Sequence, residues 1–392
     1  MRPLQGTTVV ALEQAVAAPF ATRQLADLGA RVIKIERPGT GDFARDYDQS
    51  VCGMSSHFVW LNRSKESLTL DIKRPEAIGV MDRLIGRADV FVQNLSPESA
   101  VRLGFSAHQL RARFPSLVAC DISGYGSDGP YGSKKAYDLM VQAEAGLLSI
   151  NGSADEPAKV AISVADISAG MYALTSILSA LLVQSRTGIG AAIEISMLEA
   201  LGEWMGYPLY YSGYGDKPLS RTGPRHATIA PYGPFSVAHG EVIYLGVQNE
   251  REWLAFCQKV LRQPALAADS RFDSNSRRVK HQSELHDIVD PILSALSVKQ
   301  AIARLDRAGV AHARFNTVEE FATHPQFSAR GRWTEVGSPV GALRALYPPW
   351  SIENVEPRMD PVPGIGQQTG DILRELGYDE SVVESWRSAG VV

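Results

Sequence analysis

The chain has 392 residues, of which 45% are hydrophobic and 21% charged, and 39 basic residues against 43 acidic ones leave a formal charge of −4. One hydrophobic core stops growing near ~250–300 residues, so this length predicts at least two packed units. The charge balance excludes a generally basic nucleic-acid-binding chain, and the apolar content excludes low-complexity disorder. Three cysteines, Cys52, Cys120 and Cys257, lie far apart without metal-type spacing, which fits a reducing compartment and a cytoplasmic protein with no bound metal. Met1–Gly6 has no apolar run of the signal-peptide kind. The greasiest stretch, Met171–Val183, falls short of the ~20 residues of a bilayer span and reads as a buried core helix. Neither a membrane nor a nucleic acid is expected as a partner.

In chain order, Thr8–Leu12 reads as a buried strand, Pro19–Leu28 as a helix and Arg31–Glu36 as a second strand ending at Pro38-Gly39. Strand, helix and strand within about 30 residues form a βαβ unit, which requires a parallel sheet. The rhythm continues with a helix over Ile78–Ile85, a strand over Asp89–Gln93, a helix over Ala107–Phe114 and a strand over Leu117–Ile122. A long helix is expected from about Ile167 to Gln184, then a strand over Ala191–Ser196. Together these define an α/β layer architecture with ligand chemistry at the strand ends. After Leu198 the texture turns aromatic and rich in Gly and Pro; alternation resumes at Glu241–Val247, and helical patterns follow at Glu250–Leu261 and Glu284–Arg307. The division expected is a large domain over 1–198, a linker over 199–224, a small domain over 225–315, a linker over 316–345, and a segment 346–392 ending in a helix at Asp371–Leu376.

The stretch from Gly124 to Gly129 satisfies G-x-G-x-x-G, but Pro130-Tyr131-Gly132-Ser133 follows where a dinucleotide fingerprint needs a helix. A nicotinamide site is therefore rejected. Basic residues recur after successive strands: Lys34 and Arg37 around Glu36, Lys73 after Ile72, and Arg102. Singly each reads as a solvated charge, but together they mark the rim where parallel sheets hold nucleotides. Asp166 stands just before a long apolar helix. It reads either as an N-cap or as a carboxylate nucleophile favoured by the helix N-terminus.

The run from Leu28 to Asp42 (LGARVIKIERPGTGD) resembles the opening of the family III CoA-transferases, a group that includes formyl-CoA transferase, carnitine CoA-transferase and α-methylacyl-CoA racemase. Similar matches are Asn62-Arg63-Ser64-Lys65-Glu66-Ser67 with Leu70-Asp71-Ile72-Lys73, Ala88-Asp89-Val90 leading to Asn94, and Arg102-Leu103-Gly104. Gly124-Tyr125-Gly126 with Gly129-Pro130-Tyr131, the Asp166 segment, Arg186-Thr187-Gly188 and the tail Gly366–Gly377 complete the likeness, which spans nearly the whole chain.

The resemblance implies a Rossmann-like large domain, a smaller α+β domain and an interlocked homodimer. It implies that Asp166 attacks an acyl-CoA carbonyl and passes through a mixed anhydride and an aspartyl-CoA thioester. Arg37, Leu70, Lys73, Asn94 and Arg102 match positions around the CoA nucleotide, Val16 and Ala17 the loop facing the thioester, and Lys135 and Tyr137 the place where pantetheine and acyl group meet. Coenzyme A is then a substrate and no cofactor is tightly held. Val16 stands where formyl-CoA transferase has a glutamine and no tetraglycine run exists, which disfavours formate and oxalate. Tyr137-Asp138 stands where the racemase branch has a histidine before an acid, and a phenol is a poor base at neutral pH. The segments Glu13–Phe20 and Gly223–Phe235 look most like the branch that moves CoA among C4–C5 dicarboxylates. Succinyl-CoA-dependent transfer to itaconate or a similar acid is the leading expectation. Intramolecular mesaconyl-CoA transfer and racemisation are the alternatives. Arg45, Arg225 and His226 are the candidates for the second carboxylate.

Overall fold

The computed structural model describes residues 1–215 and 218–392. Its chain divides into two compact units, the first made of 1–145, 160–206 and 329–392 and the second of 146–159 and 207–328.

The first unit is built on βαβ repeats. Strand β1 (Thr8–Leu12) leads to helix α1 (Ala17–Asp27), then β2 (Arg31–Glu36), α2 (Ser56–Asn62) and β3 (Lys65–Thr69). The chain continues through α3 (Pro75–Ile85), β4 (Val90–Gln93), α4 (Pro97–Leu103), α5 (Ala107–Arg113), β5 (Val118–Ser123) and α6 (Asp138–Glu144). A short α7 (Leu147–Ile150) belongs to the second unit, after which α8 (Val164–Thr187), β6 (Ala191–Ser196) and α9 (Met197–Trp204) return to the first. The six strands pair in the order β3-β2-β1-β4-β5-β6, every pair parallel. This is a Rossmann-type order, and its direction reverses between β1 and β4, where the loops after the two strands part and leave a crevice. One face of the sheet is sealed by a core that includes Val10, Ile33, Leu68, Phe91 and Met81, with Ile372 and Leu373 from the C-terminal segment.

Strand β3 has the sequence KESLT, without apolar alternation, and periodicity does not reveal it. It is an edge strand whose free backbone groups are covered by the chain's far end. Gln368 Oε1 accepts from the Ser67 N–H at 2.8 Å, and Thr369 Oγ1 from the Thr69 N–H at 2.9 Å. The Gly124–Ser133 stretch forms turns and no helix follows it until Asp138, as expected.

Helix α8 departs from the expectation of a buried core helix. Ala165, Ala169, Gly170, Ala173 and Ile177 are buried on the face packed against α1, but Leu182 and Val183 are 54% and 55% exposed. The helix is long and apolar enough to cross a membrane by length and composition alone.

The second unit contains α10 (Gly206–Tyr214, from its second residue), β7 (Tyr232–Ser236), β8 (Val242–Gly246), α11 (Glu250–Ala255), α12 (Asn275–Lys280), α13 (Gln282–Ser294), α14 (Val298–Ala308), β9 (Ala311–Arg314), α15 (Val318–Ala322) and α16 (Pro325–Ala329, up to Ser328). Its strands form an antiparallel sheet in the order β7-β8-β9 over a core of Phe235, Trp253, Phe256, Phe272, Leu285 and Leu305. The span 225–315 expected as a small domain lies inside this unit. The spans 199–224 and 316–345, read as linkers, hold elements of their own: α9 and α10 in one, α15, α16, β10 (Trp333–Val336) and most of β11 (Leu343–Leu346) in the other. The tail carries α17 (Thr369–Glu375) and a further helix, α18 (Glu380–Ser388), beyond the one expected.

Candidate active site

The loops at the carboxyl ends of β1, β2, β4 and β5 open onto a cleft of about 690 Å³, all of it within the first unit. After β1 the chain turns through Glu13–Val16, with Ala15 in the left-handed region at φ 61°. Asn94, just beyond β4, spans the crevice: its Oδ1 accepts from the Gln14 N–H at 2.9 Å and its Nδ2 donates to the Gln14 carbonyl at 2.8 Å. The two strands at the switch point are thereby tied together at the floor of the cleft.

Asp166 enters the cleft from the first turn of α8. A glycine one turn further on sets how close it comes. A Cβ on Gly170 would sit 2.7 Å from the Ala17 carbonyl and 3.0 Å from Phe20, so only a hydrogen there lets α8 pack against the start of α1. Asp166 is not the N-cap. Ser163 holds that position without a side-chain cap, and the missing acceptor comes from Asp138. Asp138 Oδ1 accepts from the Ala165 N–H at 2.8 Å and the Asp166 N–H at 3.4 Å, while Oδ2 accepts from Gln142 at 2.7 Å. The capping alternative is thus removed from Asp166 by a residue that is distant in sequence.

Burial first, and then the Asp138 charge, push the Asp166 carboxyl up to about 7. Tyr47, which also lines the cleft, is pushed up to about 12 by partial burial and by the charges of Asp42 and Asp166. It stays a neutral phenol and a hydrogen-bond donor at physiological pH. Its ring meets His57 edge-on at 5.3 Å, and His57 Nδ1 lies 3.7 Å from Asp48. Neither Tyr47 nor His57 stands in a pattern that sequence reading recognises as a site.

Of the residues singled out from the sequence, Val16, Ala17, Arg37, Asn94, Lys135, Tyr137 and Asp166 line this cleft together. Leu70 does not: its side chain is in the sheet's core. Lys73 and Arg102 are exposed and outside the cleft lining, the Arg102 guanidinium donating to Ser99 at 3.0 Å. Lys34, read as part of a basic rim, is fully buried. Arg45 is not available to a second carboxylate, because its Nε and Nη2 already donate to Glu36 at 2.8 and 2.7 Å, with its guanidinium 3.6 Å from the centre of the Phe58 ring. Arg225 and His226 belong to the second unit. There Arg225 donates to the Pro234 carbonyl and meets His286 at 2.8 Å, and His226 stacks on Tyr232. No cluster of histidine, cysteine and carboxylate side chains suited to a metal occurs among the described residues.

A Rossmann-type sheet with a roomy cleft at its switch point, and in that cleft one carboxyl group without a bond to a protein donor among the described residues, define an α/β protein with its candidate site at the strand ends. CoA-transferase family III matches residues 4–369, and the chain belongs to that family; it is an enzyme of the CoA-transferase class. It is 30% identical over 397 residues to the succinyl-CoA:glutarate CoA-transferase of Mus musculus, covering 100% of this chain and 91% of that one. It is 31% identical over 378 residues to the succinyl-CoA–D-citramalate CoA-transferase of Chloroflexus aurantiacus, covering 95% and 91%. The fold matches the crystal structure of a CAIB/BAIF family protein from Brucella suis with a TM-score of 0.82 at 30% identity, over 96% of this chain and 99% of that one.

Proposed function

We propose that this enzyme moves coenzyme A between small dicarboxylic acids, with a succinyl-CoA-type donor and a C4–C5 acceptor, through covalent intermediates on Asp166. The observation that carries the reading is the Asp166 carboxyl itself. It lies in the cleft, is relieved of capping by Asp138, and is poised near neutrality by burial.

The steps balance without an external base. The Asp166 carboxylate attacks the thioester carbonyl and CoA thiolate leaves, giving an acyl-aspartyl anhydride. The thiolate then attacks the aspartyl carbonyl, giving an aspartyl-CoA thioester and releasing the first acid with one oxygen taken from Asp166. An acceptor carboxylate reverses both steps. The thiolate is held throughout, a role for the cleft residues Val16, Ala17, Arg37, Asn94, Lys135 and Tyr137. Lys73 and Arg102, exposed outside the cleft lining, are proposed to meet the nucleotide end.

The dicarboxylate preference is supported by the names of the relatives, which act on glutarate and D-citramalate. Of the cations that line the cleft, Lys134 is paired with Glu144, and Arg37 and Lys135, with the His57 ring, are proposed to meet a second carboxylate. Itaconate and mesaconate belong to the same chemical class. A racemase reading is disfavoured because Tyr137 precedes an Asp138 whose oxygens are occupied by backbone and Gln142 donors. Two copies are proposed to assemble as a homodimer, which would cover the apolar face of α8 and the exposed Tyr207, Leu209, Tyr210 and Tyr214 of α10.

The test is Asp166→Asn with a panel of C4–C6 dicarboxylates and succinyl-CoA, the CoA products being read by mass spectrometry. Asparagine has nearly the same shape, so CoA binding is expected to persist while turnover falls by roughly three orders of magnitude or more. An active Asp166→Asn enzyme would end the reading. Wild-type transfer confined to monocarboxylates would end the dicarboxylate part alone.

A further inference from the structure

Beneath the cleft lies a buried ionic cluster that the proposed chemistry does not use. Lys34 leaves the middle of β2 and is 0% exposed. Its ammonium donates to Asp42 Oδ2 at 2.8 Å, to the Glu13 carbonyl at 3.3 Å and to Glu13 Oε1 at 3.4 Å. Lys65 donates to the same Glu13 oxygen at 2.6 Å, and Thr22 to Oε2 at 2.6 Å. The second Asp42 oxygen accepts from the Ala44 N–H at 2.9 Å and the Ala15 N–H at 3.1 Å. Taking this many charges out of water is costly, and packed apolar residues would hold the layers together at least as well. What an apolar core cannot supply is direction at a particular peptide.

That peptide is at Ala15. An L-residue at φ 61° brings its Cβ against its own backbone, so the conformation persists only where the surroundings impose it. The neighbouring Gln14 peptide is pinned on both sides by Asn94, and Glu13 is held through its carbonyl and its carboxylate. Gln14–Ala17, the segment so fixed, lines the cleft that Asp166 enters.

We infer that Lys34 and Asp42 are positioning residues: their buried ion pair clamps Ala15 in the left-handed conformation and thereby fixes the loop against which the thioester is presented to Asp166. The inference rests on the reading of Asp166 as the nucleophile. Neither residue touches substrate; both act through the Ala15 peptide.

The test is a cycle of Asp42→Ala, Ala15→Gly and the double variant, with kcat, KM for acyl-CoA and the folded fraction measured for each. Misplacing a reacting group by about an ångström costs on the order of a hundredfold in rate, and a loss of about that size in kcat is expected for Asp42→Ala per folded molecule, with KM changed much less. Glycine adopts the left-handed conformation without a clamp, so adding Ala15→Gly to Asp42→Ala is expected to restore kcat by about tenfold. A merely structural role predicts no such rescue. Full activity of folded Asp42→Ala, or a double variant no faster than Asp42→Ala, overturns the inference. Should Asp42→Ala fail to fold, Asp42→Asn with and without Ala15→Gly gives the comparison, because asparagine keeps the volume but has a single acceptor oxygen for both the Lys34 ammonium and the Ala15 N–H. A wild-type enzyme that transfers no CoA would instead defeat the underlying reading before any variant is measured.

Discussion

At the scale of single residues, the site turns on two aspartates with different duties. Asp138 is held as a cap by the α8 backbone and by Gln142, whereas Asp166 is the residue proposed to meet substrate. Because burial and the Asp138 charge raise the Asp166 carboxyl to about 7, the carboxylate, the form the proposed attack requires, accumulates as pH rises through that value. The rate of anhydride formation is therefore expected to climb between about pH 6 and 8. Asp138→Asn removes the second of the two causes and should move this limb to lower pH, read from kcat/KM against pH; an unmoved limb would contradict the coupling. The linkage has a definite sign. A folded-state carboxyl above its unfolded value binds the extra proton only in the folded state, so it lowers stability as pH rises from about 4 to 7. Asp166→Asn should then raise the melting temperature more at pH 8 than at pH 4, provided the asparagine loses no other contact.

Asp166 was legible in the sequence as a cap or a nucleophile, and no spacing rule could decide between them, because the true cap lies in another helix. Lys34 and Arg45 were misread for a related reason. A lysine or arginine in a strand-end segment reads as solvated or free, and only the fold shows that Asp42 and Glu36 reach them.

At the scale of elements, the position of Asp166 depends on the contact between α8 and the start of α1. Gly170→Ala would set a methyl 2.7 Å from the Ala17 carbonyl. Overpacking of this kind costs about 1–3 kcal/mol. Thermal unfolding should register that loss, and turnover should fall because Asp166 and the Gln14–Ala17 loop move apart; a variant of wild-type stability and rate would show that the contact is slack. The βαβ rhythm from Thr8 to Ser123 was legible because buried parallel strands are continuous apolar runs. Strand β3 was not, since its burial is supplied by the far C-terminal segment rather than by its own pattern. Tyr47 follows a single 3-10 turn and His57 lies in the first turn of the short α2, where periodicity carries no information about which side chains meet in space.

For the whole molecule, the exposed half of α8 is the feature a single chain leaves unexplained. If it is covered by a second copy, light scattering should return about twice the chain mass of 42.5 kDa. A Leu182→Glu, Val183→Glu variant should weaken that assembly, since each carboxylate would be buried without a partner. A stable, active monomer would contradict the proposed homodimer. The excursion of 146–159 into the second unit is not legible in the sequence, because its contacts there are distant in sequence.

The central claim, that Asp166 carries the transferred group covalently, makes a statement about atoms that mass spectrometry reads directly. An acceptor acid labelled with heavy oxygen in its carboxylates should leave one of its oxygens on Asp166 in each turnover, because CoA thiolate cleaves the anhydride on the acceptor side. After turnover in unlabelled water, the peptide spanning Asp166 should therefore carry heavy oxygen at that carboxyl, with none at Asp138. Label absent from Asp166 while CoA transfer proceeds, or label found at Asp138 instead, would contradict the account.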